Sequence, residues 1–353
     1  MATNRTAILM ACAVVAPLMG VAPAISQSVD FQGKAITMVI GSAPGGGTDA
    51  VGRLVAAFLG RHLPGQPSIT VRNMPGADGI TALNFVVEQT KPDGLTVVTG
   101  AAPQVDPMTY RSANVRYNPA DIAVIGGVGR GGSVLLINKD AHARLAKKGA
   151  EPVVMGSNPG MPRNAMQITL WGIDYLGWNA KWVVGYRGTN DLMLALERSE
   201  IDMTATGNMF LIDKLVSTGK FMVLTQTGDI TDGKTVRRPE FKDVPALAEM
   251  VAGKISDPVA GKAFVYFESI SAMDKWLGLA PGTPAHIVNT YKTAFDNVAK
   301  DPDFAAKGKT VSEDFAPMKA GDVEALIRNL SSTPQEALDF LGEMMRKQGL
   351  RGG

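Results

Sequence analysis

The sequence predicts an α/β fold built as two lobes with a ligand cleft between them. Short apolar runs alternate with amphipathic segments, a pattern typical of strands wound with helices in largely parallel sheets. The alternation occurs in two separate series, and a chain of 353 residues is long enough for two domains. Glycine-rich loops follow several of the strands, at the carboxyl ends where open α/β sheets bind ligands. These loops are therefore predicted to close around a small polar molecule.

The first series contains three predicted strands, Ile36–Ile40, Ile69–Val71 and Leu95–Thr99. A helix is predicted after the first of them, because apolar residues recur at i, i+3, i+4, i+7 and i+8 from Val51 onwards. Thr48 or Asp49 can cap the N-terminus of this helix, and the sequence LPGQP ends it.

The second series begins near Val153 and is similar in build, without a visible sequence repeat. Its later strands are predicted at Trp182–Gly185, Ile201–Thr206 and Phe221–Thr225. The polar stretch TGDITDGKTVRRPEFKDVP, residues 227–245, is predicted to be a surface loop. Three late helices are predicted at Asp301–Gly308, Asp322–Leu330 and Pro334–Lys347.

The chain is expected to cross between the lobes near Val134–Lys139 and again near Ser271–Leu277. The predicted division is a signal peptide at residues 1–26, a first lobe at 27–136 and a second lobe at 137–273. Residues 274–353 then return to the first lobe and end in C-terminal helices.

The N-terminus has the features of a cleavable secretory signal. Arg5 precedes the apolar stretch AILMACAVVAPLMGVAPA, and Ala22–Pro23–Ala24 fits the A-x-A cleavage pattern. A membrane anchor is the alternative, but Pro17 and Pro23 inside the stretch favour cleavage. A lipoprotein signal at Cys12 does not fit, because most of the apolar segment lies after that cysteine. The mature chain is therefore predicted to be periplasmic.

Composition argues against several classes of partner and cofactor. The formal net charge is +2 and no run of like charges interleaves with aromatic residues, so no nucleic-acid partner is expected. Cys12 is the only cysteine, so a mature chain without it has no disulfide and no thiolate metal site. The histidines His62, His142 and His286 show no metal-ligand spacing. No cofactor or metal is expected, and a monomer is the default.

The sequence also lacks recognisable catalytic machinery. No G-x-S-x-G motif is present, which disfavours an α/β serine hydrolase. Ser217–Lys220 satisfies S-x-x-K without its companion motifs and is interpreted as a helix end. The chain is therefore not expected to be an enzyme, and an α/β enzyme of unrecognised chemistry stays as the alternative from another class.

The loop IGSAPGGGTDAVGRL, residues 40–54, allows several interpretations. A P-loop requires Lys-Ser or Lys-Thr after the last glycine, where this chain has Thr48–Asp49. Residues 45–50 satisfy G-x-G-x-x-A, but the second strand ends in Arg72–Asn73 and not in the acidic residue that holds a ribose. The favoured interpretation is an anion site at a helix N-terminus, which Asp49 restricts to a single carboxylate. The alternative is a tight turn whose glycines adopt positive φ.

Similar small and polar loops follow further strands, at Asn73–Gly79, Thr99–Gln104 and Gly156–Asn164. The side chains and backbone groups of these loops are the predicted ligand contacts. The predicted ligand-binding residues are Ala43, Gly45, Gly46, Gly47, Thr48, Asp49, Asn73, Pro75, Gly76, Ala77, Pro103, Gln104, Ser157, Asn158, Arg163, Asn164, Arg187 and Asn208.

Three motifs occur in order near the start of the mature chain: A-P-G-G-G-T-D at 43–49, N-x-P-G-A-x-G at 73–79 and P-D-G-x-T at 92–96. The segments GYRGTNDLMLALERSEID at 185–202 and WLGLAPGTPAHIVNTYKTAFDNVAKDPDF at 276–304 follow them. With these segments the chain resembles the extracytoplasmic solute receptors of tripartite tricarboxylate transporters, the Bug-type receptors. The resemblance covers most of the mature chain.

The resemblance implies a two-lobed periplasmic binding protein of the Venus flytrap kind, type II-like, that closes on an organic acid. It implies that loops 43–49 and 73–79 pin a carboxylate through backbone groups and ordered waters. It also implies delivery of a di-, tricarboxylate or aromatic acid to a permease with a large and a small integral subunit. A receptor of the same fold that reports to a membrane sensor is the alternative.

The second lobe departs from the family pattern. The family's loop rich in Ser, Gly and His is replaced by residues 156–164, and Arg187 stands where Lys is common. We expect Arg163 or Arg187 to meet a second anionic group or to stack on an aromatic acid. A solvated arginine is the alternative for each.

Overall fold

The computed structural model describes residues 29–45, 47–129, 131–158, 162, 164–186, 189–231, 234–312 and 314–350. The strands are β1 Ala35–Ile40, β2 Ser68–Asn73, β3 Thr96–Ala101, β4 Ala123–Gly129, β5 Val134–Asn138, β6 Val153–Ser157, β7 Ala180–Val184, β8 Met203–Thr206, β9 Phe221–Gln226, β10 Asp229–Thr231, β11 Lys234–Val236, β12 Lys275–Leu279 and β13 Ala316–Met318. The helices are α1 Gly47–His62, α2 Ile80–Gln89, α3 Pro107–Tyr110, α4 Lys139–Leu145, α5 Ile168–Leu176, α6 Thr189–Glu197, α7 Met209–Val216, α8 Leu247–Val251, α9 Pro258–Ala272, α10 Ala285–Lys300, α11 Pro302–Val311, α12 Ala320–Ser331 and α13 Gln335–Lys347.

Two mixed sheets organise these elements. The first has the order β13-β4-β12-β3-β1-β2 and the second the order β7-β6-β8-β5-β9. In each sheet the first strands of a series pair in parallel, β1 with β2 and β3, and β6 with β7 and β8. This is the α/β fold with two halves that the sequence predicts.

The expectation of largely parallel sheets is wrong for one strand of the second sheet and two of the first. β5 is antiparallel to β8 and β9, and β12 is antiparallel to β3 and β4. β13, at the edge of the first sheet, is also antiparallel to β4. Each of the inserted strands β5 and β12 follows elements of the other half of the chain. It therefore enters its sheet at the edge where the other strands end, and runs in the opposite direction.

The chain passes from the first sheet to the second between Gly129 and Val134, and it re-enters the first sheet at Lys275. These changes of sheet fall close to the two expected crossings. The division into lobes at residues 27–136, 137–273 and 274–353 stays a prediction.

The polar stretch at 227–245 is more ordered than the predicted surface loop. It contains the antiparallel pair β10 and β11 and the side chain of Arg238, which is only 1% exposed. Arg238 is buried because its Nη1 donates to the carbonyl oxygen of Gly132 at 2.6 Å and its backbone N–H donates to Gln226 Oε1 at 2.8 Å. The sequence does not predict β10, β11 or the burial of Arg238, because the polar composition of this stretch is typical of a surface loop.

Apolar packing joins the two halves. One large cluster of buried side chains runs from Val39 and Val98 of the first sheet to Leu135 and Met155 of the second. At its centre Trp171, fully buried, meets the rings of Phe264 and Phe267 on α9. Two smaller clusters lie on the remaining face of each sheet.

The C-terminal end of the chain contacts the second half. Gln348 donates to the carbonyl oxygen of Leu170 at 3.0 Å and to Asp174 at 2.7 Å, and it accepts from Trp182 Nε1 at 3.1 Å. Among the helices of the described ranges, none combines the length and apolarity that a membrane span requires. The predicted signal at 1–26 lies outside those ranges.

Candidate functional site

The loop that follows β1 is built around the carboxylate of Asp49 in the first turn of α1. Asp49 is 3% exposed, and its Oδ2 accepts the backbone N–H of Gly45 at 2.9 Å. Arg53 Nε donates to both carboxylate oxygens at 3.0 and 2.9 Å. Asn73 Nδ2 donates to Asp49 Oδ1 at 2.7 Å and to the carbonyl oxygen of Ser42 at 3.0 Å. Asp49 and Asn73 thus tie the end of β1 to the end of β2.

Electrostatics keep this carboxylate ionised. The hydrogen bond from Arg53 lowers the pKa of Asp49 to about 2, with Asn73 and the Gly45 N–H acting in the same direction against burial. Arg53 Nη2 also donates to Asn73 Oδ1 at 2.9 Å, so three side chains form one closed network. Because the charge of Asp49 is already compensated, it repels an anion at the α1 N-terminus less than a free carboxylate would.

The second glycine loop, residues 73–79, is held in a strained backbone conformation. Gly76, Ala77, Asp78 and Gly79 have consecutive positive φ angles of 139°, 45°, 52° and 90°. Such angles at non-glycine residues cost free energy and are characteristic of functional sites. A Cβ placed on Gly41 would lie 3.1 Å from Gly79 Cα, so the two loops touch through their glycine backbones. The loop after β1 and the loop at 73–79 are therefore neighbours.

The loop after β3 adds the predicted residues Pro103 and Gln104. Gln104 is 4% exposed, and its side chain accepts from the Ala101 N–H at 2.5 Å and donates to the carbonyl oxygen of Asp78. Its amide therefore fastens the third loop to the second. Pro103, by contrast, lines a cavity.

A cavity of about 470 Å³ lies between the ends of the two sheets. Ala101, Ala102 and Pro103 line it from the first half of the chain, and Thr206, Gly207 and Asn208 line it from the second. Asn208 also accepts the Leu211 N–H at 3.1 Å, which caps α7 at the cavity wall. The cavity matches the volume of small-molecule sites in proteins.

A second cavity of about 290 Å³ lies beside the first. Gly47 and Thr48 line it at the N-terminus of α1, together with Val128 at the end of β4. Asp274, Lys275 and Ser312 line both cavities, so the two spaces share one wall. The N-terminus of α1 and the loop after β3 thus border two adjacent cavities, which together form the candidate cleft.

The structure does not bring every predicted residue to this cleft. Ser157 is fully buried and its hydroxyl points to the sulfur of Met166 at 3.3 Å, away from both cavities. The Oδ1 of Asn158 is buried and has no hydrogen-bond partner among the described residues. Of the described predicted residues only Gly47, Thr48, Pro103 and Asn208 line a cavity. The others that line neither are Ala43, Gly45, Asp49, Asn73, Pro75, Gly76, Ala77 and Gln104. Gly46, Arg163, Arg187 and the side chain of Asn164 lie outside the part of the chain that the structure describes.

Sequence reasoning missed three residues that the structure places at the site. Arg53 lies one helical turn after Asp49, and this i, i+4 spacing of opposite charges is a signal that could have found it. Asp274 and Lys275 form an ion pair in the shared wall. No local motif identifies them, because their position depends on β12 being inserted between β3 and β4.

Comparison with known families identifies the family of the chain. The profile of the tripartite tricarboxylate transporter family receptor, TctC, matches residues 51–338, well over half of the chain. The chain belongs to this family. It is therefore a solute-binding receptor and not an enzyme, as its sequence predicts.

Solved structures with the same fold include other receptors of this kind. A TctC solute-binding protein from Polaromonas, solved without ligand, is 20% identical, with a TM-score of 0.67 over 89% of this chain and 98% of that chain. An R. palustris protein solved with adipate is 20% identical, with a TM-score of 0.54 over 91% and 99%. MatC from Rhodopseudomonas palustris with bound malate is 18% identical, with a TM-score of 0.51 over 86% and 98%. At these identities the likeness shows the fold, that of two-lobed periplasmic binding proteins.

Proposed function

We propose that this TctC-family receptor captures a small organic carboxylate in the cleft between its two sheets and delivers it to a tripartite tricarboxylate-type permease. The observation that carries the proposal is the cleft made by the two adjacent cavities. Residues of both halves line it, and the α1 N-terminus borders it at Gly47 and Thr48. The protein performs no chemistry on the acid: it binds, encloses and releases it.

We place the first anchor for the acid at the loops 43–49 and 73–79, of which Gly47 and Thr48 line the cleft. A helix N-terminus carries unpaired N–H groups and a partial positive charge, which attract a carboxylate without a charged side chain. The network of Arg53, Asp49 and Asn73 fixes these loops, and the guanidinium of Arg53 compensates the negative charge of Asp49. Pre-organised N–H groups of this kind bind an anion with little loss of conformational entropy.

The class of acid follows from the family and the cavity size. Two solved structures of the same fold contain the dicarboxylates malate and adipate. The cleft volume suits solutes of that size, and its walls at Thr206, Asn208 and Ser312 are polar. Di- and tricarboxylates and aromatic acids are therefore the candidate solutes. It stays a prediction that Arg163 or Arg187 meets a further anionic group or stacks on an aromatic acid.

The destination of the acid is the second part of the proposal. Membership in a transporter receptor family favours delivery to a membrane permease with a large and a small subunit, from a periplasmic location. Adjacent permease genes would support this role. An adjacent sensor kinase in their place would favour the alternative, a receptor that reports its ligand state to a membrane sensor.

A thermal-shift screen of the mature chain tests the binding. A solute that binds only the folded state raises the unfolding midpoint by mass action. We expect a shift with one class among mono-, di- and tricarboxylates, aromatic acids and amino acids. Protein first unfolded in denaturant, cleared of released small molecules and refolded serves as the ligand-free sample. No shift of that sample with any carboxylate would contradict the proposal.

A further inference from the structure

We propose that Lys275 is the cation that receives the second carboxylate of a dicarboxylate, a role that rests on the proposed capture of an acid in the cleft. Lys275 is the first residue of β12 and pairs in register with Ala101 of β3 and Val128 of β4. Both partners stand at the carboxyl ends of their strands. The side chain therefore starts at the sheet edge that faces the cleft.

The charge distribution of the cleft singles out this residue. Lys275 lines both cavities, and within the described part of the chain only it and Asp274 are ionisable among the lining residues. The Lys275 side chain is 13% exposed, so its ammonium is held inside the wall and is only slightly screened by solvent.

The ammonium keeps binding capacity despite its ion pair. Lys275 Nζ contacts Asp274 Oδ1, and an ammonium has three N–H donors. Among the described residues Asp274 is the only partner of this nitrogen, which leaves two donors for a group in the cavity. Asp274 also lies in the wall, where its backbone carbonyl oxygen accepts the Ala102 N–H at 3.1 Å. The pair thus orients the ammonium without saturating it.

Strand order places the two anchors near each other. β12 is separated from β1 by β3 alone, so the ends of β1 and β12 lie two strand spacings apart, roughly 9–10 Å. Gly47, Thr48 and Lys275 also line the same cavity. A dicarboxylate can therefore present one carboxylate to the α1 N-terminus and the other to Lys275. A monocarboxylate reaches only one of the two anchors.

The test compares acids that differ by one carboxylate. Malate is paired with 2-hydroxybutanoate, and adipate with hexanoate, in calorimetric titrations of the full mature chain. We expect Lys275→Gln to weaken malate binding about 10- to 100-fold, because a hydrogen bond between charged groups is lost. Its effect on 2-hydroxybutanoate should stay within about twofold, and Lys275→Arg should restore most of the malate affinity.

The matched control is Lys292→Gln, which removes the ammonium of the Lys292–Glu324 pair on α10 and α12, away from both cavities. It should change neither affinity. Equal losses for both acids of a pair in Lys275→Gln, or none for either, would overturn the inference while leaving carboxylate capture intact. The inference would also be overturned if the unaltered chain bound the monocarboxylate of a pair more tightly than the dicarboxylate. If that chain, freed of bound solute, binds none of the four acids or any other carboxylate, capture itself fails.

If Lys275→Gln does not fold, Lys275→Met and Lys275→Arg provide the same comparison. Thermal unfolding without ligand checks that each variant is native. A Met variant that retains full preference for malate over 2-hydroxybutanoate would contradict the role of the ammonium.

Discussion

At the scale of single residues, Asp49 organises the site without itself being free to bind an anion. Its carboxylate receives hydrogen bonds from Gly45, Arg53 and Asn73 and connects two loops that are far apart in sequence. Asp49→Ala leaves these donors without their acceptor. We expect the free energy of unfolding to fall by about 2–4 kcal/mol. Urea denaturation measures this change.

A matched control for that change is Glu88→Ala. Glu88 pairs with Arg116 at 3.1 Å, but this pair is exposed. Exposed pairs contribute about 0–1 kcal/mol, so the control should remain close to the unaltered chain. If the free energy of unfolding fell equally in both variants, the Asp49 network would stabilise the chain no more than an exposed ion pair does.

The depressed pKa of Asp49 predicts how stability depends on pH. The hydrogen bond from Arg53 lowers the pKa in the folded chain to about 2, below the ordinary value of 3.8. The stabilisation is therefore complete above about pH 4 and is lost as the pH falls towards 2. Relative to Asp49→Asn, the unaltered chain should lose up to about 1 kcal/mol between pH 7 and pH 3, discounted because Arg53 is half exposed. A difference between the two chains that stays constant with pH would contradict this.

At the scale of elements, close backbone approach sets the packing of α1 on the first sheet. A Cβ on Gly60 of α1 would lie 2.6 Å from the carbonyl oxygen of Pro67, and a backbone atom yields little. Gly60→Ala should therefore destabilise the chain by about 1–3 kcal/mol. Gly321 of α12 is the control, because its Cβ would meet open space, and Gly321→Ala should be neutral or stabilising by up to about 1 kcal/mol. Thermal unfolding that ranks the two variants in the opposite order would refute this packing argument.

Elements with a strong local period were predictable from the sequence, and elements defined by distant pairing were not. The apolar spacing in α1 and the apolar run of β1 identify both to within a few residues. β5 has an equally apolar sequence, but its antiparallel direction follows from the path of the chain between sheets. β10 and β11 escaped prediction because each has three residues and a polar composition.

The residues of the candidate site likewise include some that the sequence predicts and some that it does not. The glycine loops at 43–49 and 73–79 were predictable because positive φ and close approach require glycine at such positions. Lys275 and Arg53 were not identified, although both carry charges at the site. Their roles depend on neighbours that a single sequence does not reveal: β3 and β4 for the lysine, and Asn73 for the arginine.

At the scale of the whole molecule, a buried arginine joins the segment after β11 to both sheets. Arg238 donates to the Gly132 carbonyl oxygen in the connection between β4 and β5, and its Nη2 lies 3.5 Å from Asp314, just before β13. Both charged side chains are at most 5% exposed. Arg238→Met leaves Asp314 without this charge partner, so the free energy of unfolding should fall by about 3–5 kcal/mol.

Chemical denaturation followed by two probes tests this connection. Tryptophan fluorescence reports mainly on tertiary packing, and far-ultraviolet circular dichroism reports on secondary structure. Exposed Arg237, which pairs with Glu249, provides the control variant Arg237→Met. A loss below about 1 kcal/mol in Arg238→Met would show that the two halves do not depend on this contact.

The central claim, a carboxylate enclosed between the two sheets, is tested most directly by calorimetric titration of malate and adipate into three chains. Leu211 of α7 lines the larger cavity, so Leu211→Trp fills it. Phe210, its neighbour, is 63% exposed and lines neither cavity, so Phe210→Trp is the matched control. We predict that the unaltered chain and Phe210→Trp bind an acid with equal affinity, while Leu211→Trp, still folded, loses at least tenfold. Undiminished binding by Leu211→Trp would show that the acid is held elsewhere and would contradict the account.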